Sequence, residues 1–149
     1  MIAANDKVVL ALIGAGGRGT QLILSMQQCT SGVEVKYVCD VDESRGGNAV
    51  QELSRLQGYK PVKVADMRTV LDDKDVDAVV IATPEHWHAL AMVRACRAGK
   101  DVYVEKNVCL SFEEGRKMIG AATENSCVVQ CGTQNRSAGY AYAAKEYLS

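Results

Sequence analysis

The stretch Lys7–Gly19, KVVLALIGAGGRG, decides the fold. Its first seven residues form a short apolar run that stops on glycine, the pattern of a buried strand. Residues 17–29 carry Leu22, Ile23 and Met26 at helical spacing, and Gly32 stands as a stop. Gly14-Ala15-Gly16-Gly17-Arg18-Gly19 therefore lies where a strand turns into a helix and has the form G-x-G-x-x-G. Each glycine has a physical reason there. Gly14 permits the tight turn, Gly16 lets the backbone approach a pyrophosphate, and Gly19 lets helix and strand pack closely. The helix N-terminus, with Gly17 and Arg18 in its first turn, offers unpaired N–H groups and a positive dipole end to phosphates.

Working outward, the alternation continues. Val33–Cys39 reads as strand two and ends on Asp40, at the ~20-residue spacing from the glycines where a carboxylate accepts ribose hydroxyls. That carboxylate repels a 2′-phosphate, so NAD is expected over NADP. Arg45, the nearest cation, leaves NADP possible. Residues 42–56 read as a helix ending near Gly58, and residues 60–64 as a third strand. Asp66 reads as the cap of a short helix through Leu71. Residues 77–82 form a continuous apolar run, as in a strand covered on both faces. Pro84 reads as the opening of a helix with Thr83 as its cap. Ala89, Val93 and Cys96 face inward and Gly99 ends it. Residues 101–104 are strand five. Ser111-x-x-Glu114 is a capping box for a helix to about Glu124. Residues 127–131 are strand six, and a helical tail runs from about Ser137 to Leu148. Six strands alternating with helices predict an α/β, doubly wound parallel sheet.

Composition excludes several classes. Lys plus Arg number 17 and Asp plus Glu 18, for a net charge of −1. That balance argues against nucleic acid or an anionic membrane as partner. No apolar run approaches the ~18 residues of a membrane span. The six cysteines (29, 39, 96, 109, 127 and 131) show no C-x-x-C spacing, and several sit in apolar runs. They read as reduced, buried thiols, which fits cytoplasmic folding. Met1–Asp6 has neither a basic nor an apolar signal region. It reads as a native start or as the stub of a trimmed export signal.

Two further clusters fall at strand carboxyl ends. Thr83-Pro84-Glu85-His86-Trp87-His88 follows strand four, beside the topological switch point where dinucleotides bind. Thr83, Pro84 and His88 are cofactor-side candidates. Trp87 packs either on the cofactor or over the sheet edge. His86 and His88 lack a companion set for a metal, and none is expected. Glu105 and Lys106 end strand five and face the same cleft, with Glu105 a further cofactor-side candidate. Lys106 reads either as a solvated loop residue or as a proton donor and substrate anchor.

Together, the glycine turn, Asp40, Thr83-Pro84…His88, A-G-K-D-V-Y-V-E-K (98–106) and S-x-E-E-G (111–115) resemble the N-terminal, Rossmann-fold half of the glucose-fructose oxidoreductase / inositol dehydrogenase family. The resemblance covers nearly the whole chain. It implies NAD(P)-dependent redox at a sugar or cyclitol carbinol carbon in a homo-oligomeric parent. It implies that Lys106 binds the reacting hydroxyl, since the family motif is E-K-P. Here Asn107 stands in place of the proline, so the rigid turn is lost. The family chain continues into a second α/β domain with most substrate contacts and the oligomer interface. On this reading residues 1–149 are one dinucleotide-binding domain, and Gly132–Arg136 with Tyr140, Tyr142 and Tyr147 lead toward the missing one. The expected fragment binds NAD without sustained turnover. Two alternatives stand beside it: a nucleotide-binding sensor or scaffold without turnover, and half of an NAD-dependent, redox-assisted glycosidase.

Overall fold

Six strands form one all-parallel sheet in the order β3-β2-β1-β4-β5-β6. They are β1 (Val8–Ile13), β2 (Val33–Cys39), β3 (Val62–Val64), β4 (Ala78–Ile81), β5 (Asp101–Glu105) and β6 (Val129–Gly132). Six helices connect or follow them: α1 (Gly17–Cys29), α2 (Gly47–Gln57), α3 (Met67–Asp72), α4 (His88–Arg97), α5 (Phe112–Glu124) and α6 (Gly139–Leu148). The structure, a computed structural model, describes residues 7–29 and 32–148. The reading of Met1–Asp6 falls outside them.

Alternation along the strands divides the core in two. In β1, Leu10 and Leu12 pack with Leu22 and Ile23 of α1 and with Ala49 and Leu53 of α2. Ala11 and Ile13 point the other way, among Val70 of α3, Ala95 and Cys96 of α4 and Met118 of α5. Strands buried on both faces need no polar alternation, which is why residues 78–82 are apolar throughout. Fully enclosed side chains such as Ile23 and Leu53 each contribute about 1.5–3 kcal/mol through burial. Among the described residues no helix is long and apolar enough to cross a membrane.

The order reverses between β1 and β4, so their carboxyl ends diverge into a crevice. Lys100 helps hold β4 in place from the opposite end. It is 5% exposed, and its Nζ donates to the carbonyls of Asp73 (2.7 Å) and Val76 (2.8 Å).

Local details correct the sequence expectations in two places. The helix expected from Asp42 begins at Gly47. Residues 42–46 form a turn instead: Asp42 Oδ1 accepts from the amide and hydroxyl of Ser44, and Gly46 takes a left-handed φ of 79°. Pro84 does not start an α-helix directly. It precedes a 3-10 turn, Glu85–Trp87, and α4 begins at His88. Thr83 makes no cap, because its Oγ1 is buried without a partner among the described residues. Two other expected caps form. Asp66 accepts from the amide of Arg68 at 2.9 Å, and Ser111 accepts from that of Glu114 at 3.2 Å.

Candidate functional site

A cleft of about 580 Å³ opens at the switch point. Its walls come from the glycine turn (Gly14, Gly16), the end of β2 (Asp40, Val41, Asp42, Arg45), the start of α3 (Asp66, Met67) and the segment after β4 (Thr83, Pro84, Trp87). Of the sequence-derived candidates, Gly14, Gly16, Asp40, Thr83 and Pro84 line it. Gly17, Arg18 and Gly19 form the first turn of α1, at its rim. His88, Glu105 and Lys106 lie outside its lining.

The glycines of the turn answer to different constraints. A Cβ on Gly14, whose φ is 95°, would lie 2.6 Å from the carbonyl carbon of Ala82 and the amide of Thr83. One on Gly19 would lie 2.0 Å from the carbonyl oxygen of Gly14. Those two are glycine because backbone packs on backbone. Gly16 is not constrained in that way: its nearest neighbour would be Arg45 Nη1 at 3.6 Å. Packing thus leaves room for a Cβ at Gly16, which lines the cleft.

Asp40 is half-buried at the carboxyl end of β2. Its Oδ2 accepts from the amide of Ala15 at 2.8 Å and its Oδ1 from the amide of Asp42 at 2.9 Å. The carboxylate thus ties the glycine turn to β2, and each oxygen keeps lone-pair capacity for a further donor. Sequence reasoning had not found this second role. Beyond it, the Ser44 hydroxyl and amide, with Arg45, hold Asp42 below the usual carboxylate range. The Arg68 side chain and amide hold Asp66 down at about 2. Arg45 Nε donates to Asp42 at 3.2 Å, so the one lining cation among the described residues is already paired with a carboxylate.

On the other side of the turn, Glu105 is 5% exposed. Its Oε1 accepts from Nε and Nη2 of Arg18, each at 2.8 Å, and its Oε2 from the amide of Lys106 at 3.1 Å. Gln134, with its amide oriented to suit its neighbours, accepts from Arg18 Nη2 at 3.3 Å and donates to the carbonyl of Gly132 at 2.6 Å. Arg18 therefore links the first turn of α1 to the ends of β5 and β6. Burial and the charge of Glu105 raise the Tyr103 phenol above its ordinary value.

His88 is fully enclosed. Its Nδ1 lies 2.7 Å from the carbonyl oxygen of Asn107 and its Nε2 lies 2.9 Å from that of Thr83. It joins the segment after β4 to the turn after β5. Lys106, on that turn, has an exposed side chain. Trp87 is 46% exposed and forms part of the cleft wall.

The residues fit a dinucleotide. Gly16 leaves room beside the helix N-terminus, where a pyrophosphate finds unpaired amides. Asp40 lines the same cleft at the end of β2, with acceptor capacity to spare. Thr83, whose buried Oγ1 has no partner among the described residues, is one of the lining residues.

Sheet order, turn and terminal carboxylate define a dinucleotide-binding domain of the Rossmann class. The sequence agrees: residues 8–133 match the family GFO_IDH_MocA, described as an oxidoreductase family with an NAD-binding Rossmann fold, and the chain belongs to that family. It is 31% identical over 137 residues to an α-N-acetylgalactosaminidase of Shewanella oneidensis, covering 87% of this chain and 29% of that protein. The GenD2 protein of gentamicin A biosynthesis, solved in complex with NAD, superposes with a TM-score of 0.79 at 26% identity. That match covers 95% of this chain and 39% of GenD2. The WlbA dehydrogenase of Chromobacterium violaceum, solved with NADH and UDP-GlcNAcA, superposes with a TM-score of 0.75 at 25% identity, over 89% and 37% of the two chains. The chain thus spans well under half the length of these relatives.

Proposed function

We propose that this chain is the cofactor-binding unit of an NAD-dependent oxidoreductase acting on a hydroxyl of a sugar or cyclitol. The carrying observation is Gly16. It is the motif glycine that opens on the cleft without backbone packing to explain it, and it sits beside the amides of the α1 N-terminus. In this reading Gly14 and Gly19 shape the turn, and the amides of Gly17 and Arg18 meet the phosphates. Asp40 receives the ribose hydroxyls, and Thr83 and Pro84 line the wall beside it. His88 and Glu105 hold the turn that carries Lys106, and Lys106 Nζ hydrogen-bonds the reacting hydroxyl. When bound, the dinucleotide supplies a hydride acceptor at the carbinol carbon. The family membership, the likeness to the WlbA dehydrogenase and the likeness to NAD-bound GenD2 support the reaction class.

NAD is favoured over NADP. Asp40 stands where a 2′-phosphate would lie, Asp42 and Asp66 carry charge nearby, and Arg45 is neutralised by Asp42. A second reading, redox-assisted glycoside cleavage on the same bound dinucleotide, is favoured by the 31% identity to an α-N-acetylgalactosaminidase. Both readings assign the opposing substrate wall and the subunit contacts to polypeptide beyond these residues, because the chain matches only 29% of that relative.

Calorimetric titration with NAD and NADP tests the cofactor reading. The wild-type chain should bind NAD more tightly than NADP, and Gly16→Val should lose binding while melting normally. Undisturbed NAD binding by Gly16→Val would reduce the turn to a structural feature. A sugar and cyclitol panel read by NADH absorbance should show no sustained turnover, since holding a carbinol carbon in place is worth about 7–11 kcal/mol in favourable cases. Steady turnover would mean that the site is complete within these residues.

A further inference from the structure

The turn after β5 is held from three directions. Its first residue, Lys106, donates its amide to Glu105 Oε2. The carbonyl of Asn107 faces His88 Nδ1 at 2.7 Å. The side chain of Asn107 reaches further: its Nδ2 donates to Glu85 Oε1 at 3.0 Å. Glu85 opens the 3-10 turn that follows Pro84, and Pro84 and Trp87 line the cleft on either side of it. One side-chain hydrogen bond thus joins the 3-10 turn beside the cleft to the residue next to Lys106.

We propose that Glu85 and Asn107 are positioning residues that aim Lys106, their side-chain hydrogen bond doing at this turn what a ring-locked backbone would otherwise do. The proposal rests on Lys106 being the residue that meets the substrate hydroxyl. A proline fixes φ and gives up its N–H. An asparagine has a freer backbone and offers two side-chain donors instead. Freedom lost to a tether depends on the partner staying put, and here the partner does. Glu85 is half-buried on a short turn, and the next helix begins with the enclosed His88. Neither Glu85 nor Asn107 lines the cleft, so the tether acts on the lysine turn and leaves dinucleotide contacts alone.

Amide hydrogen exchange by NMR on the ¹⁵N-labelled chain tests this, with NAD titration of every variant. Removing a net hydrogen bond of typical strength corresponds to about a three- to tenfold change in a local opening equilibrium. Glu85→Ala should therefore speed exchange at Lys106 about three- to tenfold. Asn107→Ala should match it, and the double variant should add nothing, because both changes break the same bond. Glu85→Gln keeps an acceptor oxygen and should stay within twofold of wild type, an outcome that general loosening would not produce. NAD affinity should hold within twofold throughout. Exchange at Lys106 unchanged from wild type in Glu85→Ala, Asn107→Ala and the double variant would overturn the positioning role while leaving the cleft reading intact. Failure of the wild type to bind NAD would overturn the cleft reading and leave the exchange result to stand by itself.

Discussion

Asp40 and Glu105 occupy matching places and do different work. Each is a carboxylate at or next to the carboxyl end of a parallel strand, and they flank the same glycine turn from opposite sides. Asp40 takes two backbone amides and stays half-exposed in the cleft. Glu105 takes a guanidinium and an amide and is almost sealed from water. The first spends part of its hydrogen-bonding capacity on the protein and keeps the rest. The second is committed to holding α1 against β5. Position at a strand end therefore does not separate a cleft-facing acid from an enclosed one, whereas burial and the identity of the donors do.

The largest effect should come from Glu105. Glu105→Ala leaves Arg18 and the Lys106 amide without their acceptor, at a cost of about 2–4 kcal/mol in urea melts. Asp40→Ala should lose less stability. If it lost more, the division of labour between the two acids would be reversed. Next comes cofactor preference. Asp40→Ala should shift the NAD-over-NADP affinity ratio toward NADP about five- to thirtyfold, on the order of 1–2 kcal/mol. An unchanged ratio in calorimetry would remove Asp40 from the ribose position.

A third carboxylate, Asp73, sharpens the contrast because it lies away from the cleft. Lys36, the amide of Asp75 and Tyr37 hold it down at about 2. A depressed folded-state pKa stabilises above the unfolded value near 4, and that stability drains away as pH falls toward 2. Wild type should lose about 1 kcal/mol more than Asp73→Asn between pH 5 and 2.5, after allowance for solvent screening. Parallel denaturation curves at the two pH values would show that Asp73 carries no such linkage. The smallest effect concerns thiols. Burial pushes Cys39 up to about 12 and Cys96 to about 11, and none of the six cysteines forms a disulfide. A thiol reagent at pH 8 should find these two silent until denaturant is added, and six sulfhydryls afterward. Rapid modification of Cys39 in the native chain would contradict its enclosure.

What could be read in advance was mostly local. The apolar run before Gly14, the glycine spacing and Asp40 sit within one β-α-β unit, and their physics is short-range. The strand alternation then led to the sheet. The turn at residues 42–46 escaped because Asp42 and Glu43, ahead of the periodic run, read as the acidic first turn of a helix. The Gly46-Gly47 pair was the available sign of a break. Thr83 was read as a cap from its place before a helix, yet the 3-10 turn after Pro84 displaces the helix start to His88. The Arg18–Glu105 pair joins residues 87 apart in sequence, and no periodicity marks such a contact. The Asn107 tether was equally hidden. From sequence, the absence of a proline registers only as lost rigidity, because its replacement depends on where Glu85 lies in space.

The position of Trp87 has an optical consequence. The sequence contains a single tryptophan, and that indole stands half-exposed in the wall of the cleft. Excited at its red edge, where tyrosine is dark, the chain emits from one point only. A reduced nicotinamide absorbs in the range where an indole emits, so a bound NADH quenches that emission and lights up in its place. The protein thus carries a fluorescent donor in the wall of its own ligand cleft, and occupancy can be followed by energy transfer with no label attached.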